Sequence, residues 1–107
     1  MSPLALRAES DGPDRQFLDA ELDVVGNLVL SGHDLGPGAE LVSPDGEYEY
    51  WITVEAADLT KLLVLLAEPE GSDVMRVLEQ GWTGKNSYEL ERIIRHEGVP
   101  HRFFCYS

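Results

Sequence analysis

The hydrophobic period of this chain changes after Val54, and this change limits the folds that the chain can adopt. In the first half, apolar residues alternate with polar ones, which is the pattern of strands that bury one face. After Val54, apolar residues recur at a spacing of three and four, which is the pattern of amphipathic helices. Strands followed by a block of helices predict an α+β fold with an antiparallel sheet.

Alternation and turn residues predict a sheet of about four to five strands. They place a first strand and turn within residues 1–15, a β-hairpin over 16–31, a strand over 48–54 and a last strand over 101–106. The segment 32–47 is rich in Gly and Pro, so we expect it to form a long loop. A length of 107 residues is that of one domain, so we expect a single domain over 1–107.

Two to three helices are expected to pack on one face of this sheet. The apolar spacing places them over residues 55–67, 72–80 and 86–97. Ser72 is the predicted N-cap of the second helix, and Asn86 with Glu89 has the spacing of a capping box for the third. The other face of the sheet is then free to meet solvent or a partner.

That free face is predicted to carry carboxylates around one large aromatic side chain, Trp51. The residues that alternation places beside Trp51 are Asp19, Glu21, Asp23, Glu47 and Glu49. Tryptophan is enriched among the residues that dominate binding energies, which makes this face a candidate docking surface. The alternative is that a terminal segment or the 32–47 loop covers Trp51.

Acidic residues are concentrated in one part of the chain. Between Glu9 and Asp73 there are 16 acidic and two basic residues, a local net charge of −14. Residues 74–107 hold five basic and four acidic residues, a net charge of +1. This asymmetry suggests a basic protein as partner and argues against nucleic acid, whose phosphates need a Lys and Arg footprint.

His33 and Asp34, in the string Ser-Gly-His-Asp-Leu-Gly at 31–36, are the most motif-like residues. An adjacent imidazole and carboxylate can share a metal ion, so a metal-dependent enzyme is one interpretation. A turn in which Asp34 bonds backbone amides is the other, since no second pair of metal ligands accompanies the dipeptide. We include both residues in the candidate partner-binding set and expect no catalytic residue, no metal and no cofactor.

Cys105 is the single cysteine of the chain, so no intrachain disulfide can form. His101 shares its predicted strand face but lies about 13 Å away, beyond hydrogen-bond reach, so we expect Cys105 to be a small core residue. A lone thiol is typical of a reducing compartment. Neither a signal peptide nor a membrane span is recognisable, and we expect a cytoplasmic protein without membrane contact.

The string at 31–36, the strand Tyr-Glu-Tyr-Trp-Ile-Thr-Val at 48–54 and the helix after it resemble a group of small acidic actinobacterial proteins of uncharacterised function. The resemblance spans residues 17–104 and includes Gly98, Pro100 and the aromatic last strand. It implies a standalone intracellular α+β protein and transfers no catalytic residues. In size and charge the chain is also similar to bacterial immunity proteins encoded beside toxins.

These observations favour a protein-binding module that docks an acidic sheet face onto a basic protein. An immunity protein or another inhibitor would be one form of such a module. Two alternatives stay open. The acidic residues serve solubility alone, or the chain is a metal-dependent enzyme that uses His33 and Asp34.

Overall fold

Residues 3–36 and 47–106, the part of the chain that the computed structural model describes, form one sheet of five antiparallel strands and three helices. The strands are β1 (Leu4–Asp11), β2 (Asp14–Leu22), β3 (Leu28–Leu35), β4 (Glu47–Val54) and β5 (Arg102–Tyr106). Their order in the sheet follows their order in the chain, so β1 and β5 form its edges. The predicted α+β fold with an antiparallel sheet is confirmed.

The helices of the described residues all lie in the connection between β4 and β5. A single 3₁₀ turn (Ala56–Asp58) leads into α1 (Leu59–Leu65), which is followed by α2 (Val74–Gly81) and α3 (Asn86–His96). β4 and β5 are antiparallel neighbours, so this helical connection leaves and re-enters the sheet at the same end of the two strands.

The core lies between the helices and one face of the sheet. Leu18, Leu30 and Ile52, one from each central strand, are fully buried and belong to one cluster with Leu62 of α1 and Leu78 of α2. Complete burial of such a side chain contributes roughly 1.5–3 kcal/mol. We call the side of Leu18, Leu30 and Ile52 the inner face of the sheet, and the opposite side the outer face.

The helices begin differently from the prediction. Asp73, not Ser72, caps α2, because its Oδ1 accepts hydrogen bonds from the amides of Met75 (3.1 Å) and Arg76 (3.4 Å). The Ser72 hydroxyl instead donates to the carbonyl of Pro69. The capping box predicted for α3 is also wrong, since the N-cap position of this helix is occupied by Lys85, which makes no side-chain cap bond.

The long loop is shorter than predicted, because β3 continues to Leu35. Gly32 lies inside this strand and pairs with Tyr50. The backbone of Gly36, directly after the strand, has a positive φ of 110°. The turn predicted at His33 and Asp34 is therefore wrong. The remainder of the predicted loop, 37–46, lies outside the described residues.

No helix of the described ranges combines the length and the apolar character needed to cross a membrane.

Candidate functional site

The outer face of the sheet holds most of the predicted partner-binding residues. The helices pack on the inner face, so the outward-pointing side chains of β2 to β5 face away from the core. The outer-face residues of these four strands include Phe17, Asp19 and Glu21 of β2, Val29, Ser31 and His33 of β3, Glu47, Glu49, Trp51 and Thr53 of β4, and Arg102, Phe104 and Tyr106 of β5.

Two cross-strand rows set the arrangement of this face. The strand register aligns Asp19, Ser31, Trp51 and Phe104 in one row, and Phe17, His33, Glu49 and Tyr106 in the next. In the first row the rings of Trp51 and Phe104 are in contact, with centroids 5.6 Å apart. Phe104 is 62% exposed and Tyr106 66% exposed. Each row therefore contains one carboxylate and ends in an exposed aromatic ring on β5.

His33 lies between two of these carboxylates. Its Nε2 is 3.9 Å from Oε1 of Glu47 and 3.9 Å from Oε1 of Glu49, both on the neighbouring strand. These distances are too long for hydrogen bonds, so the attraction depends on a protonated imidazole. His33, Glu47 and Glu49 therefore lie together on the outer face, as part of one charged group.

Asp23 does not belong to the outer face. β2 ends at Leu22, and Asp23 holds the β2–β3 turn instead: its Oδ1 accepts from the amides of Val25 (3.0 Å) and Asn27 (2.9 Å). The bond from the Asn27 amide is the main reason that the pKa of Asp23 is lowered. The prediction that Asp23 shares a strand face with Asp19 and Glu21 is wrong, because an Asp in this position satisfies turn amides.

Asp34 lies on the inner face, opposite Tyr48 in the strand register. Its Oδ1 is buried without a hydrogen-bond partner among the described residues, and burial raises the pKa of this carboxyl group. His33 and Asp34 are consecutive strand residues, so their side chains point to opposite faces of the sheet. This geometry does not bring the predicted pair together.

The residues that the sequence offered as metal ligands are not gathered. No group of three or more His, Cys, Asp or Glu side chains in residues 3–36 and 47–106 is arranged to hold a metal ion. Cys105 is exposed, and the prediction that it is a core residue is wrong. It lies on the edge strand β5, where every residue is exposed.

A buried polar network under α3 was not predicted from the sequence. Arg7 Nη2 donates to Glu91 Oε2 (2.5 Å), Arg7 Nε donates to Ser87 Oγ (2.9 Å) and the Tyr50 hydroxyl donates to Glu91 Oε1 (2.6 Å). The guanidinium also lies 3.6 Å from the ring centroid of Tyr88. The sequence contains one indication of this network, because Glu91 occupies a position of α3 where the helical spacing predicts an apolar residue.

The bulge in β1 explains why Arg7 faces inward. The pairing of β1 with β2 shifts register between Ala5 and Arg7, so Leu6 and Arg7 are both buried although they are consecutive. Without the bulge, alternation would place one of them on the outer face.

Comparisons of the chain with protein-family models, with curated proteins and with solved structures gave no match. A functional proposal for this protein therefore depends on the residues of the outer face.

Proposed function

We propose that this protein is a binding module that docks a basic protein partner on its outer face. The observation that carries the proposal is the contact between Trp51 and Phe104 in the middle of a charged sheet face on which none of the described helices packs. An immunity protein or an inhibitor of a basic enzyme would be one form of such a module, in keeping with the resemblance in size and charge.

The aromatic residues supply the apolar contact that a specific interface needs. Trp and Tyr are enriched among binding hot spots, and interface cores are richer in aromatic side chains than the remaining surface. Trp51 is half buried by its neighbours, so its ring is held in place before a partner arrives. Docking then costs little side-chain entropy at this position.

The carboxylates supply the preference for a basic partner. Asp19, Glu21, Glu47 and Glu49 lie within the two strands on either side of β3, and the whole chain has a net charge of −12. Such a field raises the association rate with a basic protein and disfavours acidic ones. The effect weakens with salt, since exposed charges are screened over roughly 8–10 Å at physiological ionic strength.

The experiment that tests this proposal is capture from a lysate of the source organism on the immobilised protein, with identification by mass spectrometry. A basic protein should be retained by the wild type. Its affinity should fall by about 30-fold or more in Trp51→Ala, the loss expected for a hot-spot residue. Glu49→Lys should lower the association rate most strongly at low salt.

Matched variants on the helical side separate docking from general effects. Val64→Ala truncates another exposed apolar residue, in α1, and Glu79→Lys makes the same charge change on an exposed position of α2. Both controls should bind as the wild type does. If Trp51→Ala and Glu49→Lys retain full affinity with an unchanged circular dichroism spectrum, the outer face is not the docking surface. If no basic protein is captured at all, solubility becomes the better account of the acidic residues.

A further inference from the structure

A cleft of about 360 Å³ lies between the inner face of the sheet and α3. It is on the opposite side of the sheet from the outer face, so it is a separate site. Its volume is near the lower end of the range for small-molecule pockets, roughly 300–1,000 Å³. The cleft is therefore of a size for a small metabolite rather than for a protein segment.

The floor of the cleft is polar and already ordered. It is formed by Arg7, Tyr50 and Glu91, all buried and joined by the hydrogen bonds described above. The charges of Arg7 and Glu91 compensate each other. Arg7 is thus already engaged by Glu91, Ser87 and Tyr50.

The cleft also contains an acceptor without a donor. Oδ1 of Asp34 is buried and has no partner within the described part of the chain. Leaving a buried acceptor unsatisfied costs about 1–3 kcal/mol, and more when it is charged. A ligand that brings a donor, above all a cationic one, would remove this cost.

Arg95 supplies the opposite charge at the mouth of the cleft. Its guanidinium lies 4.4 Å from the ring centroid of Phe103, and in residues 3–36 and 47–106 it forms no ion pair. The neighbouring Arg92 differs, because it is paired with both Glu89 and Glu97. Arg95 is thus a cation available to a ligand, in a chain that is strongly acidic overall.

Asp34, Tyr48 and Arg95 line the same cleft. Burial is the main reason that the pKa of the Tyr48 hydroxyl is raised; Cys105 and the Asp34 carboxylate raise it further, and the Arg95 guanidinium opposes the rise. Tyr48 therefore stands within the electrostatic reach of both charges. A ligand beside Tyr48 would meet a carboxylate and a guanidinium at once.

We propose that this cleft binds a small zwitterion of the α-amino-acid type, with its ammonium on Asp34 and its carboxylate on Arg95. A simple amine would leave Arg95 unpaired, and a simple acid would leave Asp34 unpaired. The rings of Tyr48 and Tyr88, which also line the cleft, would contact the apolar part of the ligand. The inference does not depend on the outer face binding a partner.

Nuclear magnetic resonance of the ¹⁵N-labelled protein tests this proposal, with each of the common L-amino acids added singly at millimolar concentration. At least one amino acid should shift the amide signals of Tyr48, Tyr88 and Arg95 in a saturable way. Its deaminated acid and its decarboxylated amine should each bind about tenfold more weakly or worse, because each loses one of the two charge pairs.

Two variants and two matched controls complete the test. Asp34→Asn and Arg95→Gln should each weaken binding of that amino acid by about tenfold or more. Glu79→Gln and Arg76→Gln, both on α2, make the same chemical changes away from the cleft and should leave the affinity unchanged. Arg95 is exposed, so its variant is expected to fold even if Asp34→Asn does not.

Three results would overturn the proposal. In the first, no amino acid shifts the signals of the cleft. In the second, the acid or the amine binds as tightly as the amino acid, so that only one of the two charges is used. In the third, the folded Arg95→Gln variant retains the wild-type affinity.

Discussion

Nη2 of Arg7 lies 2.5 Å from Oε2 of Glu91, which joins the first strand to the last helix across 84 positions of sequence. The two side chains are 2% and 11% exposed. The other oxygen of the same carboxylate accepts from Tyr50 of β4. One carboxylate therefore connects β1, β4 and α3, and these three groups also form the floor of the cleft.

The first prediction concerns this buried pair. Glu91→Leu should lower the free energy of unfolding by about 3–5 kcal/mol, because it leaves the Arg7 guanidinium buried without its counter-charge. Urea unfolding followed by circular dichroism measures this loss. The matched control is Glu89→Leu, which breaks the exposed pair with Arg92 and should unfold close to the wild-type midpoint, because solvent screens this pair.

The double variant Arg7→Met with Glu91→Leu separates a desolvated charge from lost packing. With both charges removed, no group is left unpaired, and most of the stability lost in Glu91→Leu should return. A double variant as unstable as the single one would contradict this account, since the damage would then come from the shape of the new side chains.

The second prediction concerns Gly32. A β-carbon at this position would overlap the ring of Tyr50, well inside van der Waals contact of Cζ and Cε1. Because Tyr50 is held by Glu91, its ring cannot move aside without breaking that hydrogen bond. Gly32→Ala should therefore destabilise the fold by about 1–3 kcal/mol in urea unfolding.

Gly81 at the end of α2 is the matched control, since a β-carbon there would meet nothing within 4 Å. Gly81→Ala should leave the stability unchanged or raise it by up to about 1 kcal/mol, because Ala is the better helix former. Equal midpoints for the two variants would mean that the Tyr50 ring adapts without cost.

The third prediction uses the phenol of Tyr50. Burial, with the neighbouring Glu91 carboxylate, holds the pKa of this hydroxyl well above its usual range. The folded state therefore keeps a proton that the unfolded chain releases above about pH 10, and stability is lost as the pH rises, by about 1.4 kcal/mol per unit from this group.

Urea unfolding at about pH 9, 10 and 11 measures this dependence. Tyr50→Phe should show a shallower fall than the wild type, whereas Tyr106→Phe, which removes an exposed phenol, should follow the wild type. If the wild type and Tyr50→Phe lose stability in parallel, Tyr50 is not held protonated by the fold.

Alternation placed the outer face well. Asp19, Glu21, Glu49 and Trp51 lie where the period-2 pattern predicted, because regular strands reverse the side chain at every residue. The same regularity turns Leu18 and Ala20 of β2 to the inner face, where both are buried.

The errors arose where a non-local feature overrides the local pattern. The bulge beside Arg7 breaks alternation without a sequence signal of its own. Gly32 resembles a turn residue, yet it pairs with Tyr50 in the sheet, and the ring of Tyr50 occupies the space that a side chain at position 32 would need. Because β3 continues through this glycine, Asp34 lies on the inner face. The exposure of Cys105 depends on which distant elements cover the edge strand β5, and the local sequence does not show this.

The last prediction separates the role of Asp23 from partner binding. Its hydrogen bonds, first that from the Asn27 amide, lower the pKa of the carboxyl group, so the ionised form stabilises the folded state. This stabilisation is present above the pKa of the unfolded chain, about 3.9, and is lost as the pH falls through the lower pKa of the folded state. Asp23→Ala should therefore unfold at a lower urea concentration than the wild type at pH 7, with a difference that shrinks below about pH 4.

Asp19→Ala controls for the lost negative charge and should unfold near the wild-type midpoint. A deficit in Asp23→Ala that stays constant down to about pH 3 would assign the effect to the side chain's shape rather than to its charge.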